Sequence, residues 1–332
     1  MKNHVLFAAV LSGLAFGGCR PGAGLLIKTV PADRRLAETV VSATPGLFVT
    51  DKIAVVDVDG LLVNDRGEGL FAPADNPVSL FVEKLDNAEA DGNVKAIILR
   101  INSPGGGVTA SDIMHERLMR FRSARKLPVI AVLEDVGASG AYYLACASDE
   151  IVANPTTITG SIGVIVQTVS FSGTMRLLGI SAKAVTSGPR KDMASPLKPL
   201  DEKDLAILQT MVDEFYKRFL EVVVAGRPKL SAEKVKSLAD GRVYTGEQAL
   251  ANGLVDRIGY MEDAIRLAKQ RGGISKAKVV MYHRPLGYRA NVYSAAPMAA
   301  GSQVNLLNIN VPDAITLSQP KFLYLWTGHA AQ

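Results

Sequence analysis

The stretch PVIAVLEDVGASGAYY, residues 128–143, indicates the fold class of this chain. It opens with a short apolar run, Pro128 to Leu133, that is typical of a buried strand. After a turn it continues into a helix that we expect to start near Ser139. Two earlier stretches repeat this order, with strands at Ile53–Val58 and Ala96–Ile101 and helices at Val78–Ala90 and Ser111–Arg125. Strands that alternate with helices at this spacing predict right-handed βαβ crossovers, and therefore an α/β fold with a mainly parallel sheet.

The composition fits a globular protein and excludes several functional classes. Of the 332 residues, 48% are hydrophobic and 21% are charged, which is far from the low hydrophobicity of disordered chains. Two cysteines and four histidines are too few for a disulfide framework or a cysteine-rich zinc site, and we expect neither a metal nor another cofactor. The net charge of +5 is scattered without a Lys/Arg block, so the sequence does not favour nucleic acid as a partner.

The first 19 residues look like an export signal. The apolar run from Val5 to Phe16 is shorter than the roughly 20 residues that a membrane-spanning helix needs, but it suits the apolar region of a signal peptide. Two glycines stand directly before Cys19, as small residues do before the lipidated cysteine of a bacterial lipobox. We therefore expect a signal peptide over residues 1–19, lipid on Cys19, and attachment to a membrane on its periplasmic or other extracytoplasmic face. An ordinary secretory signal and an uncleaved anchor remain alternatives.

The second half of the chain becomes helical. Ile180–Thr186 is predicted as a strand, and Asp201–Ala225 as a long amphipathic helix whose first residues are acidic. Ser231 begins a second helix, and residues 285–332 show little periodicity before the apolar run Phe322–Trp326. The predicted organisation is a signal peptide over 1–19, a tether leading into the fold over 20–50, a main domain over 51–270 and a C-terminal extension over 271–332.

A glycine-rich turn, Asn102-Ser-Pro-Gly-Gly-Gly107, follows the second predicted strand. Consecutive glycines allow backbone N–H groups to point at a ligand atom without a Cβ in the way, which suits an oxyanion hole or an anion-binding nest. The turn lacks the Gly-Lys-Ser/Thr ending of a phosphate-binding loop. From the residues alone, an oxyanion hole and an ordinary tight loop both remain open.

A second glycine-bearing turn, Gly137-Ala-Ser-Gly-Ala-Tyr-Tyr143, contains Ser139 between small residues. A serine at a strand-to-helix turn is well placed for a nucleophile, because small neighbours admit the substrate and the helix N-terminus favours developing negative charge. The alternative is that Ser139 only caps the helix.

A nucleophilic serine needs a general base, and the positions of the histidines argue for lysine. No histidine occurs between residues 116 and 282, and His115 is expected to face solvent on its helix. A lysine can act as base when burial or nearby positive charge lowers its pKa. Lys191 is the best candidate, since it follows the predicted strand Ile180–Thr186 and lies near Arg190 and Lys198. A solvated surface charge is the alternative for Lys191.

These motifs resemble, in order and approximate spacing, those of the signal peptide peptidase SppA family of serine–lysine proteases. The resemblance covers roughly residues 50–270. The motifs that carry it are Asn102-Ser-Pro-Gly-Gly-Gly, Ala138-Ser-Gly-Ala-Tyr-Tyr, Thr159-Gly-Ser-Ile-Gly-Val164, Ser187-Gly-Pro-Arg-Lys-Asp192, and the segment from Asp240 to Asp256.

The resemblance implies a ClpP/crotonase-like fold of repeated ββα and βαβ units with a helical C-terminal part. It implies Ser139 as nucleophile and Lys191 as general base, with Ser161 orienting the lysine. It also implies an oxyanion hole made by the backbone N–H groups of Gly106 and Gly140.

The implied substrates are peptides from membrane or exported proteins, particularly remnant signal peptides. The implied assembly is a ring-shaped homo-oligomer on a membrane, with adjacent protomers contributing to the substrate groove. The chain departs from larger members by having one catalytic unit and a lipobox-like start. Two alternatives remain open at this point, which are a crotonase-like acyl-CoA enzyme and a non-catalytic membrane scaffold with the same fold.

Overall fold

The computed structural model of the chain describes residues 35–65, 75–284 and 322–328. The strands, in chain order, are β1 (Ala37–Ala43), β2 (Lys52–Asp59), β3 (Val94–Ser103), β4 (Gly105–Gly107), β5 (Val129–Ala138), β6 (Glu150–Ala153), β7 (Ile158–Gly160), β8 (Ile165–Val166), β9 (Val243–Thr245), β10 (Arg257–Ile258), β11 (Lys278–His283) and β12 (Phe322–Leu325). The helices are α1 (Pro77–Ala90), α2 (Val108–Arg125), α3 (Gly140–Ala145), α4 (Ser172–Leu177), α5 (Glu202–Gly226), α6 (Ala232–Leu238), α7 (Gly246–Ala251) and α8 (Met261–Arg271).

Nine of these strands form one sheet, which is mostly parallel. Its main order is β1-β11-β2-β3-β5-β6-β10, with β7 beside the end of β5 and β9 beside β7. Only the β1–β11 and β7–β9 pairs in it are antiparallel. The α/β class with a parallel-rich sheet is thereby confirmed. The sheet also extends past the predicted main domain at both ends, because β1 lies in the range assigned to the tether and β11 lies after residue 270.

The central strands are buried on both faces, which explains their continuous apolar runs. Along β2, Ala54 and Val56 face the core that contains α1, α2 and α3, whereas Ile53 and Val55 face the core beneath α8. This layered arrangement holds β3 and β5 in the middle of the fold. The carboxyl ends of these two parallel strands therefore meet at one edge of the sheet, where the two glycine-bearing turns begin.

The predicted helices are confirmed, and local capping explains where several of them begin. The Asn76 side chain accepts a hydrogen bond from the Ser79 N–H at the start of α1, and Pro77 occupies the first helical turn. Asp201 and Ser231 cap α5 and α6 in the same way. Within the part of the chain that the structure describes, no helix is long and apolar enough to cross a membrane. The predicted signal peptide and Cys19 lie outside the described residues.

The predicted strand over Ile180–Thr186 is wrong. This range has no regular secondary structure, and Val185 is 98% exposed. Its β-branched and apolar residues match a strand pattern locally, but among the described residues no other strand lies beside it to supply backbone partners. Residues 177–191 therefore cross the surface as an exposed segment that carries Lys191.

Candidate active site

Ser139 lies at the turn between β5 and α3, in a strained backbone conformation. Its φ of 55° and ψ of −118° are unusual for a residue with a Cβ, and such outliers cost about 1–3 kcal/mol each. Hydrogen bonds on both sides hold the turn, since the Ser139 N–H donates to Gly160 O at 2.8 Å and the Tyr143 N–H donates to Ser139 O at 2.8 Å. The surrounding structure therefore fixes a conformation that the chain would not adopt alone.

The Ser139 hydroxyl does not serve as a helix cap. Ser139 occupies the N-cap position of α3, but its side chain makes no capping hydrogen bond. Its Oγ makes no hydrogen bond with any residue that the structure describes, and the residue is 1% exposed. A strained strand-to-helix turn that carries an uncommitted hydroxyl is typical of an activated nucleophile. The structure therefore contradicts the alternative that the Ser139 side chain caps α3.

The glycine strand β4 lies directly against the start of α3. A Cβ on Gly105 would stand 2.6 Å from Gly140 N, and a Cβ on Gly106 would stand 2.1 Å from Leu62 O. Both values are far below an ordinary contact, so β4 can lie against Gly140 only because position 105 is glycine, and against Leu62 only because position 106 is glycine. The structure thereby brings Gly106 and Gly140, the two predicted oxyanion residues, to the same place beside Ser139.

Ser161 joins this group through strand pairing. Ala138 pairs with Gly160 in the β5–β7 ladder, which places Ser161 next to the turn that holds Ser139. Ser161 has a φ of 49°, and its N–H donates to Arg242 O at 2.8 Å. It is 7% exposed and lines a cavity of about 480 Å³ that continues towards β8 and α5. Its orienting role stays a prediction.

Lys191 makes no hydrogen bond to Ser139 within this chain. Its side chain is exposed, and its ammonium makes no hydrogen bond or ion pair with any residue that the structure describes. The neighbouring charges are also balanced, because Arg190 and Lys198 both pair with Asp204, and Lys198 pairs with Asp192 at 2.9 Å. The expected electropositive patch around Lys191 is therefore neutralised by carboxylates.

The described part of the chain contains no group of three or more His, Cys, Asp or Glu residues that could hold a metal ion. The expectation that His115 faces solvent is wrong, since its ring packs edge-on against Tyr143 with the centroids 5.1 Å apart. Burial lowers the pKa of His115 to about 4, which keeps the ring neutral near pH 7.

The sequence did not single out two groups of residues near the site. The first is an aromatic cluster in which Tyr324 of β12 packs against Tyr143 and Phe219. The apolar run Phe322–Trp326 was the only signal for it. The second is a buried charge cluster near the carboxyl ends of the central strands, where Arg100 lies close to Asp57, Asp59 and Glu134. Burial and the neighbouring carboxylates raise the pKa of Glu134 to about 7.

An α/β sheet with a strained, uncommitted serine at a strand end and a glycine strand beside it defines the class of serine hydrolases. Similarity to known proteins narrows this class further. The model of peptidase family S49 matches residues 121–275. A protein of Enterococcus faecium named as signal peptide peptidase SppA is 36% identical over 231 residues, which are 70% of this chain and 67% of that protein. A protein of Methanocaldococcus jannaschii named as a protease is 34% identical over 78% of this chain and 83% of its own.

The chain therefore belongs to the SppA family, peptidase family S49, and is a serine endopeptidase. This membership favours peptide hydrolysis over the acyl-CoA and scaffold alternatives. Among solved structures, ClpP1 from Listeria monocytogenes is similar over 64% of this chain and 94% of that chain, at 17% identity and a TM-score of 0.42.

Proposed function

We propose that this chain is a membrane-tethered endopeptidase that cleaves peptides with Ser139 as nucleophile and Lys191 as general base. The observation that carries the proposal is the Ser139 turn, which holds an uncommitted hydroxyl in a strained conformation beside the backbones of Gly106 and Gly140. Among the described residues, no histidine makes a hydrogen bond to Ser139, so we look for the base in another residue type. The motif around Lys191 is the best source of such a base.

The proposed chemistry runs through an acyl-enzyme. Ser139 Oγ attacks the carbonyl carbon of the scissile peptide while its proton passes to the amine of Lys191, which must be neutral to accept it. The N–H groups of Gly106 and Gly140 stabilise the negative oxygen of the tetrahedral intermediate. The protonated lysine then gives its proton to the leaving amine, and a water molecule, activated in the same way, releases the second product from Ser139.

We further propose that Lys191 meets Ser139 of a second copy in a ring-shaped homo-oligomer. Within one chain, the ammonium has no partner among the described residues, and the segment that carries it is exposed. The same segment shows large apolar side chains to solvent, with Leu177 88% exposed and Val185 98% exposed. Contact with a neighbouring copy would bury these side chains, exclude water from the lysine and complete the site.

The proposed substrates are peptides from membrane or exported proteins, particularly remnant signal peptides. The leader-like first 19 residues support an extracytoplasmic location, with lipid on Cys19 as the anchor. The relative in Enterococcus faecium that is named as signal peptide peptidase SppA supports the substrate class. Labelling with a palmitate analogue tests the anchor: the wild type should incorporate label and fractionate with membranes, and Cys19→Ala should do neither. Incorporation by Cys19→Ala would contradict it.

The dyad is tested by peptide cleavage with three variants of the full chain. Ser139→Ala and Lys191→Ala should each lower kcat/KM by at least about 10³-fold. Lys183→Ala is the matched control, because Lys183 is an exposed lysine on the same segment. It should stay within about twofold of the wild type, as expected for an exposed charge without a partner. Retained cleavage by either dyad variant would refute the assignment of that residue.

Mixing the two inactive variants distinguishes a dyad between copies from a dyad within one chain. If adjacent copies supply the two residues, a mixed assembly of Ser139→Ala and Lys191→Ala chains contains junctions with both groups intact. Random assembly in equal amounts then restores about a quarter of the wild-type activity. If both residues act within one chain, mixing restores nothing.

A further inference from the structure

The strand β5 does not run straight into the turn that holds Ser139. Ile101 and Ser103 of β3 pair with Leu133 and Gly137 of β5, so three residues of β5 stand opposite one residue of β3. The chain bends so tightly here that a Cβ on Gly137 would lie 2.7 Å from the Leu133 side chain. Such a bulge interrupts the ladder and redirects the strand, and the residues that follow it lead directly to Ser139.

One buried side chain is hydrogen-bonded to the backbone at the end of this bulge. Thr159 of β7 pairs with Gly137 in the parallel β5–β7 ladder, and its Oγ1 donates to Gly137 O at 2.6 Å. Thr159 is completely buried, so its hydroxyl has no contact with solvent. The carbonyl two residues before Ser139 is therefore held by a side chain in addition to the strand pairing.

The same hydrogen bond lies two residues before each of two strained serines. Ser139 follows Gly137 by two residues and has a φ of 55°. Ser161 follows Thr159 by two residues and has a φ of 49°. Residues with a Cβ rarely adopt such values, and they keep them only where the surrounding structure holds the backbone. The hydrogen bond from Thr159 thus fastens the starts of both turns to each other, and the Ser139 N–H, which donates to Gly160 O at 2.8 Å, joins the turns beyond it.

A neighbouring threonine makes the same kind of contact further from Ser139. Thr157 is also completely buried, and its Oγ1 lies 2.9 Å from Leu133 O and 2.6 Å from Glu134 O. These carbonyls stand at the start of the bulge, whereas Gly137 O stands at its end. Thr157 therefore holds the beginning of the bulge, and Thr159 holds the turn that follows it.

We propose that Thr159 is a positioning residue for peptide cleavage, because its hydroxyl fixes the Ser139 turn against the Ser161 turn. The proposal rests on the proposed function, in which Ser139 is the nucleophile and Ser161 orients the lysine. Without the hydroxyl, Gly137 O loses this restraint and the two serines can shift relative to each other. A misplacement of about 1 Å at a reacting group costs up to about 10²-fold in rate. The loss falls on kcat rather than on KM, because the completely buried Thr159 has no surface that a peptide could touch.

The test is steady-state peptide cleavage by variants of the full chain, with urea unfolding of each. Thr159→Val keeps the shape of the side chain without its hydroxyl, and it should lower kcat about 30- to 100-fold while KM stays within about threefold. Thr159→Ser restores the hydroxyl without the methyl group and should keep kcat within about threefold of the wild type. Thr157→Val is the matched control, because it also removes a completely buried hydroxyl. It should lower the midpoint of urea unfolding, as Thr159→Val does, but keep kcat within about threefold.

The proposal is overturned by any of three results. These are a wild-type kcat in folded Thr159→Val, a failure of Thr159→Ser to restore kcat, and an equal loss of kcat in Thr157→Val. If Thr159→Val does not fold, Thr159→Cys takes its place, because a thiol is a weak donor at the same position. It should lower kcat about 5- to 10-fold, and a wild-type kcat would show that the hydroxyl does not position Ser139.

Ser139→Ala, measured beside these variants, separates this proposal from the proposed function. Cleavage retained by Ser139→Ala refutes the proposed nucleophile and with it the role of Thr159. An inactive Ser139→Ala together with an unaffected Thr159→Val refutes the role of Thr159 alone.

Discussion

Alanine at position 105 tests whether the glycine strand has the role that we assign to it. Gly105 has a φ of 97°, where a residue with a Cβ is strained, and a Cβ at this position would lie 2.1 Å from Tyr324 O and 2.6 Å from Gly140 N. Displacing β12 would remove the first clash. It would leave the second, because Gly140 belongs to the turn that Ser139 occupies.

The size of the effect follows from these distances. Ordinary contact begins at 3.4 Å, so β4 and the start of α3 must separate by about 0.8 Å to admit the methyl group. This movement pulls the Gly106 and Gly140 N–H groups apart, and loss of one oxyanion donor lowers kcat by about 10²- to 10³-fold. The left-handed backbone adds a cost of about 1–2 kcal/mol in stability.

The assay is steady-state peptide cleavage by Gly105→Ala and Gly107→Ala, with urea unfolding of both. The nearest atoms to a Cβ on Gly107 are at 3.8 Å, and its φ is −65°, so alanine fits there without displacing anything. We expect a loss of about 100-fold in kcat at position 105 and less than about threefold at position 107. The reasoning is refuted if folded Gly105→Ala keeps more than a tenth of the wild-type kcat, or if Gly107→Ala loses as much.

Two further substitutions test the strain at the nucleophile and the buried charge cluster. Ser139→Gly should have a free energy of unfolding about 1 kcal/mol higher than Ser139→Ala, because glycine adopts the positive φ of this position without strain. Urea unfolding measures the difference, and equal values for the two variants would show that the backbone of Ser139 is not strained. The pKa of Glu134 is raised from its ordinary value of 4.5 to about 7 in the folded state. Between these two pH values the folded state keeps the proton that the unfolded state has lost, so the free energy of unfolding falls as the pH rises. Glu134→Gln should therefore lose about 2–3 kcal/mol less than the wild type between pH 5 and 8, whereas Glu247→Gln, at an exposed carboxylate that is not among the charges acting on Glu134, should behave like the wild type.

The sequence predicted the central strands and helices because each has a strong local signal. The run Ala96–Ile101 is apolar throughout, as a strand buried on both faces must be, and Ser231 stands where a helix needs a cap. A similar local pattern gave a wrong strand prediction at Ile180–Thr186. A strand also needs a neighbouring strand for its backbone hydrogen bonds, and the local sequence does not show whether one lies beside it. The sequence pattern alone therefore predicts helices with a local capping signal and strands that are buried on both faces.

The pairings that complete the site could not be found in this way, because they join distant parts of the chain. Tyr324 faces Gly106 across more than two hundred residues, and β11 enters the sheet between β1 and β2. No local feature of Phe322–Leu325 distinguishes a paired strand from an apolar patch elsewhere. The motifs predicted that Ser139, Ser161 and the glycines belong together, but the strained φ of the two serines appears only once both turns are held by their neighbours.

The parts of the site differ in how firmly the fold positions them, and the chemistry explains why. An oxyanion donor or a nucleophile must be positioned within a fraction of an ångström. The residues that we propose for these roles, Gly106, Gly140 and Ser139, lie where strand pairs and backbone hydrogen bonds restrict their movement. A lysine ammonium stands at the end of four methylene groups and can reach its target from a backbone several ångströms away. Lys191 can therefore belong to an exposed segment and still act as the base, provided that a neighbouring surface brings it in and removes its water. In the enzyme that we propose, the groups positioned by the sheet are in place in a single chain, whereas the proposed base reaches the site only on assembly.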